Sequence, residues 1–158
     1  MTEGVARQLQ ADLGLHRPAR GSLGRTFALV SCGGALIAWV LGSQFHVRDP
    51  VTPLLLLSLV VWQPLVEELL FRGVLQGLLL RTTAGATKRW GLSVANLVTS
   101  LVFVLVHLVN QPATWAIGVF VPSLVFGLFR DRSGSVWPPL VLHIVFNGAF
   151  FSPLIASL

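Results

Sequence analysis

Charge is what this sequence has least of. Only 11% of its 158 residues are Asp, Glu, Lys or Arg, against 54% hydrophobic, where a soluble domain carries about 25% charged residues. Together with a mean hydropathy of +0.78, the shortage excludes a soluble globular class. It points to an integral membrane protein, expected as one compact helical unit with no soluble domain attached. Cysteine is scarcer still. Cys32 is the only one, which excludes an internal disulfide and a cysteine-based zinc site. Leu29-Val30-Ser31-Cys32-Gly33 has the outline of a lipoprotein cleavage box. The apolar stretch before Cys32 is too short for a signal core of about 7–15 residues, however, and the hydrophobic run continues past the cysteine. Cys32 therefore reads as a small buried residue in a helix. There is no G-x-S-x-G, and neither Ser58 nor Ser100 sits in an activating context, so a serine hydrolase is excluded. The H-E-x-x-H spacing of zinc proteases is missing as well. No internal repeat, low-complexity tract or linker breaks the chain. The net charge of +5 does not indicate a nucleic-acid partner. The basic residues lie between apolar runs and before the first one, as orientation signals do.

What is present is a set of long apolar runs. A spanning helix needs about 20 mostly apolar residues, and five candidates meet or approach that length: Phe27–Phe45, Pro53–Leu80, Leu92–Val109, Ala113–Phe129, and Val136 to the C-terminus. The expected fold is an all-α polytopic transmembrane bundle of about five spans, with a basic N-terminal segment over residues 1–25 and a membrane core over 26–158. Pro138 and Pro139 suit a helix start, where an amide would be unpaired in any case. Pro64 lies inside the second span and should kink it or free a carbonyl one turn before Glu67. Arg7, Arg17, Arg20, Arg25, Arg81, Lys88, Arg89, Arg130 and Arg132 all fall on one side of a five-span topology, while the loop after the first span sets Arg48 beside Asp49. That predicts a cytoplasmic N-terminus and an external C-terminus, with the first span an uncleaved signal anchor. The lipid bilayer is the implied surrounding.

Against this background a few polar residues stand out. Glu67, Glu68 and Arg72 lie in the second span, His107 near the end of the third, and His143 with Asn147 in the fifth. An ionisable residue at the centre of a spanning helix costs about 2.5–3.5 kcal/mol on insertion scales, so a shared intramembrane site is expected. Glu68 and Arg72 are four apart and can pair on one helix face. Glu67, rotated by about 100° from Glu68, can point at another helix and serve as a general base. A buried Glu–Arg pair can also be purely structural, and a lone buried histidine is often only packed; neither reading accounts for the second glutamate or for three helices all carrying polar residues. Gly73 and Gly77 form a small-xxx-small spacing suited to close helix contact. A carboxylate and a histidine on facing helices could hold a water, and the His143/Asn147 face could donate to an oxyanion. The same side chains, Glu67, His107 and His143, would also make a three-ligand zinc set with one open position. If the helices are straight and upright, the topology sets Glu67, His107 and His143 at different depths. Tilt, a kink at Pro64, or a sunken segment over Arg130–Val136 would bring them together.

Glu67-Glu68-x-x-x-Arg72-Gly73, then Phe103-x-x-x-His107, then His143-x-x-x-Asn147, on successive helices, resemble the three motifs of the CAAX-protease and bacteriocin-processing family of glutamic-type intramembrane endopeptidases. The likeness covers about Pro53 to Phe150. It implies a membrane-embedded hydrolase that cleaves a membrane-tethered peptide without a cofactor or metal. Glu67 would activate water with help from His107. His143 and Asn147 would form the oxyanion side, and Glu68 and Arg72 would support the site. Only one span precedes the first motif, fewer than family members commonly have. That brevity is similar to small bacterial sorting proteases that process C-terminal anchors (JDVT-CTERM or myxosortase-like), for which prenylated substrates are not expected. The competing expectations are the zinc-dependent form of the reaction and a catalytically silent immunity protein, scaffold or proton-linked carrier.

Overall fold

The computed structural model describes residues 4, 8, 10–18, 24–44 and 52–155. Arg7, Arg20, Arg48, Asp49 and the last three residues, which enter the topology argument, lie outside these. Five long helices form the body: α1 (Arg25–Gln44), α2 (Pro53–Leu80), α3 (Val94–His107), α4 (Ala113–Ser133) and α5 (Trp137–Ile155). They fall on the five apolar runs, and the architecture is an all-α polytopic bundle. By length and composition α1, α2 and α4 can each cross a membrane. Between α2 and α3 a two-residue hairpin pairs β1 (Lys88–Arg89) with β2 (Leu92–Ser93) in antiparallel register, Lys88 opposite Ser93.

Local chemistry sets the helix ends. Thr52 caps α2 by accepting the Leu55 amide at 3.2 Å, with Pro53 in the first turn. Ser93 caps α3 through the Asn96 amide at 2.9 Å. α4 is interrupted at Val119, between Ala113–Gly118 and Phe120–Ser133, and stops at Gly134 in the left-handed region (φ 69°). Pro138 and Pro139 begin α5 as expected.

α2 continues through Pro64 as one helix. It absorbs the proline with a π-helical stretch, Ser58–Trp62, just ahead of it, and a second π-helical stretch, Leu69–Leu75, carries Arg72. Wider turns of this kind relieve a missing amide and are frequent at functional sites.

The apolar core is Phe126, Phe129 and Leu142, packed by Phe27, Val30, Val125 and Phe146 from α1, α4 and α5. α1 is peripheral and buries only Gly42 along its length. Cys32, expected to be buried, is therefore exposed on it: in a membrane bundle the outer helix faces lipid, and apolar sequence does not imply a protein core. Gly73 and Gly77 allow a close approach by the N-terminal segment, whose residues 10–12 are helical: a Cβ on Gly77 would lie 2.6 Å from the Asp12 carbonyl oxygen. Residues 10–18 are held there by the Val136 amide on the Gly14 carbonyl, the Ser135 hydroxyl on the His16 carbonyl, and an Asp12–Arg81 ion pair.

That docking explains how residues of different nominal depth can meet. Ser133, Ser135 and Val136 are all buried, so the α4–α5 connection is sunk beneath the N-terminal segment and α5 begins inside the protein. α3 has 14 residues, a rise of about 20 Å, well short of the roughly 30 Å hydrocarbon layer. The end carrying His107 can thus stop within the layer rather than at its surface.

Candidate active site

The two adjacent glutamates have different surroundings. Glu68 is 1% exposed and sits between Arg72, with Oε2 3.3 Å from Nε, and His143, with Oε1 2.9 Å from Nδ1. Arg72 is fully buried. Its Nη2 donates to the Ser123 carbonyl (3.0 Å) and hydroxyl (2.8 Å), and its guanidinium lies over the rings of Phe103 and Phe126 at 5.0 and 5.6 Å. The Glu68–Arg72 contact is an ion pair without hydrogen-bond alignment. Glu68 Oε2 and Arg72 Nε and Nη1 have no hydrogen-bond partner among the described residues, so Coulombic attraction and the aromatic faces offset the burial.

Glu67 points elsewhere. Its Oε1 accepts from Gln63 Nε2 at 3.1 Å, one turn earlier on α2, and its Oε2 lies 3.7 Å from Nε2 of His143. The latter distance is too long for a direct hydrogen bond, but one water can bond to both atoms across it. His143 thus stands between the glutamates, one ring nitrogen toward each, with Phe126 stacked on its face at 4.8 Å.

His107 Nδ1 bonds the Phe103 carbonyl at 2.9 Å, and the two rings are 4.3 Å apart. Because a carbonyl only accepts, Nδ1 carries the proton and a neutral ring keeps its lone pair on Nε2. Asn147 donates Nδ2 to the Leu59 carbonyl at 2.9 Å. Glu67, His107, His143 and Asn147 all line one open-sided cavity of about 680 Å³ among α1 to α5, a size within the range of small-ligand sites. Glu68 and Arg72 lie behind it.

The predicted residues are brought together, with Glu68 and Arg72 paired as their spacing suggested and Glu67 beside a different histidine from the one expected. Among the described residues no hydrogen bond or ion pair joins Glu67 to His107; His143 is the histidine beside Glu67. The reason is local: His107 turns back along its own helix, and its Nδ1 bonds the Phe103 carbonyl one turn earlier. Nor do three His, Cys, Asp or Glu side chains group as metal ligands among the described residues, although the zinc alternative would require Glu67, His107 and His143 to do so.

Sequence reasoning missed a second set of residues. Ser123 donates to Ser100 (2.9 Å), Ser100 to Asn96 (3.2 Å), and Asn96 to the Leu124 carbonyl (3.0 Å). Gln76 bridges the Gly127 carbonyl (3.0 Å) and Asp131 (2.8 Å), and Asp131 accepts from Ser93 at 3.0 Å. Arg130 ties the carbonyls of Arg72 and Asp12 together. A signal was available in the spacing. Glu68, Arg72 and Gln76 on α2, Asn96, Ser100, Phe103 and His107 on α3, and Ser123, Gly127 and Asp131 on α4 are three stripes of period three to four. Gly127 is where they close, because a Cβ there would collide with the Asn96 amide.

Fold and site together define a polytopic integral membrane protein with a buried glutamate–arginine–histidine cluster beside an apolar cavity. Residues 49–149 match the family described as type II CAAX prenyl endopeptidase Rce1-like, and the chain belongs to that family. It is also 32% identical over 95 residues to an "Uncharacterized 24.3 kDa protein" of Escherichia coli, a match that takes in 60% of this chain and 42% of that one. The chain therefore spans less than half the length of that curated relative. No solved structure matches it.

Proposed function

We propose that this protein is an intramembrane glutamic endopeptidase that hydrolyses a peptide bond in a membrane-tethered substrate. The observation that carries the reading is the division of labour between the glutamates: Glu68 is committed to Arg72 and His143, while Glu67 reaches the cavity. A water bonded to Glu67 Oε2 and His143 Nε2 attacks the scissile carbonyl and passes one proton to Glu67. The oxygen of the tetrahedral adduct takes a hydrogen bond from the second N–H of Asn147. The C–N bond breaks as that proton moves to the leaving nitrogen, giving a carboxylic acid and an amine, and the acid then loses its proton to the amine or to water. Arg72 and Glu68 hold His143 with its Nε2 toward the reacting water. His107, its Nδ1 tied to its own helix, offers the Nε2 lone pair to a substrate N–H or to the attacking water.

The substrate is proposed to be a peptide anchored by a C-terminal helix, presented in a bacterial inner membrane with the N-terminus of the enzyme on the cytoplasmic side. The test is cleavage in liposomes of a library of single-helix anchored peptides, read by mass spectrometry, with wild type and Glu67→Gln. Products are expected from wild type only and are expected to be indifferent to chelators. Absence of products from both would favour a scaffold or immunity role, and zinc-rescued chelator sensitivity would favour the metal-dependent form.

A further inference from the structure

We infer that Pro64 is a positioning residue for Asn147, and that it acts by lacking an amide. Within the π-helical stretch the Gln63 amide bonds the Ser58 carbonyl, five residues back. By the same register the Leu59 carbonyl would be met by the amide of residue 64, and proline has none. An unpaired carbonyl inside a bundle must find another donor. The Leu59 carbonyl finds Asn147 Nδ2, 88 residues away, at 2.9 Å. Pro64 itself is fully buried, at the junction of the π-helical and α-helical stretches of α2.

The consequence is geometric. A primary amide nitrogen has two N–H groups at a fixed angle. With one held by Leu59, the other has a single direction, and Asn147 lines the cavity together with Leu59, Gln63 and Glu67. Pro64 also sits three residues before Glu67 on the same helix. One substitution-sensitive backbone gap therefore sets the distance between the base and the N–H that would meet the oxyanion. A residue with an amide at 64 either bonds Leu59 in the π register or lets the helix relax to the α register. In both cases Asn147 loses its anchor while the helix gains a hydrogen bond. The catalytic consequence rests on the proteolytic reading; the anchoring does not.

The test uses Pro64→Ala in the full chain in detergent micelles and liposomes. The protein has three asparagines, Asn96, Asn110 and Asn147, so selective ¹⁵N-asparagine labelling gives three side-chain amide pairs, and Asn147→Ala assigns one of them. In wild type the Asn147 pair is expected to show one proton protected from solvent exchange. In Pro64→Ala that protection is lost while helicity is kept. With a cleavable substrate, kcat is expected to fall about tenfold, the equivalent of one hydrogen bond, with KM within about twofold. The double variant should be no slower than Asn147→Ala alone. An unchanged, still protected Asn147 pair in Pro64→Ala overturns the inference. Full cleavage by Asn147→Ala would instead remove Asn147 from the proposed chemistry and leave the anchoring to be judged on the spectrum.

Discussion

Replacing Arg72 by methionine should be the most damaging single change to stability in the site. Arg72 is 0% exposed and Glu68 1% exposed, so removal of the cation leaves a carboxylate in the bundle interior. His143 Nδ1 would be its remaining contact. Breaking a buried pair from one side costs about 3–5 kcal/mol. The Ser123 hydroxyl and carbonyl, both now bonded to Nη2, lose their donor at the same time. By contrast, single neutral hydrogen bonds between membrane helices average about 0.6 kcal/mol, so the Ser100–Ser123 bond cannot account for a loss of that size. The orphaned charge dominates the loss, and the double variant Glu68→Gln/Arg72→Met should recover at least half of the deficit by removing that anion. Equilibrium unfolding in mixed micelles, run as a double-mutant cycle, measures both quantities. Loss of less than about 1 kcal/mol in Arg72→Met, or a double variant no more stable than the single, would refute the claim that this pair is a mutually dependent buried unit.

Three further outcomes follow from the packing. Gly127→Val should destabilise by about 1–3 kcal/mol, because its side chain would occupy the place of the Asn96 amide where α3 meets α4; unfolding at wild-type denaturant concentration would mean the two helices do not approach this closely. Asp12→Ala should change stability by less than about 1 kcal/mol, since Arg81 is 50% exposed, whereas Gly77→Val should displace the segment over residues 10–18 and make it accessible to proteases; equal protection of the two variants would contradict that docking.

The helices and the main polar cluster were legible because insertion into a bilayer is costly for charge. An apolar run of 20 residues names its own element, and Glu67, Glu68, Arg72, His107, His143 and Asn147 are conspicuous within such runs. The Glu68–Arg72 pair followed from a four-residue spacing alone. Pairing across helices did not. Whether His107 or His143 meets Glu67 depends on depth, and depth was set by features without a compositional mark: a 14-residue α3 and a sunken α4–α5 connection covered by residues 10–18. Serine, asparagine and glycine pass through membrane helices at little cost, so the stripes containing Asn96, Ser100, Ser123 and Gly127 are marked by their spacing alone and not by composition. Pro64 is legible in the sequence as freeing a carbonyl near Glu67; that the π register makes it the Leu59 carbonyl, with Asn147 as the donor, emerges only from the three-dimensional structure.

The central claim is that Glu67 delivers water to a peptide bond. Cleavage in liposomes prepared in H₂¹⁸O tests it most directly, with wild type and Glu67→Gln compared at matched folded concentration. Wild type should release a fragment carrying one ¹⁸O in its new C-terminal carboxylate, and Glu67→Gln should be slower by about 10²–10⁴, the usual contribution of a positioned base. Equal rates for the two proteins, or a product formed without solvent oxygen, would contradict it.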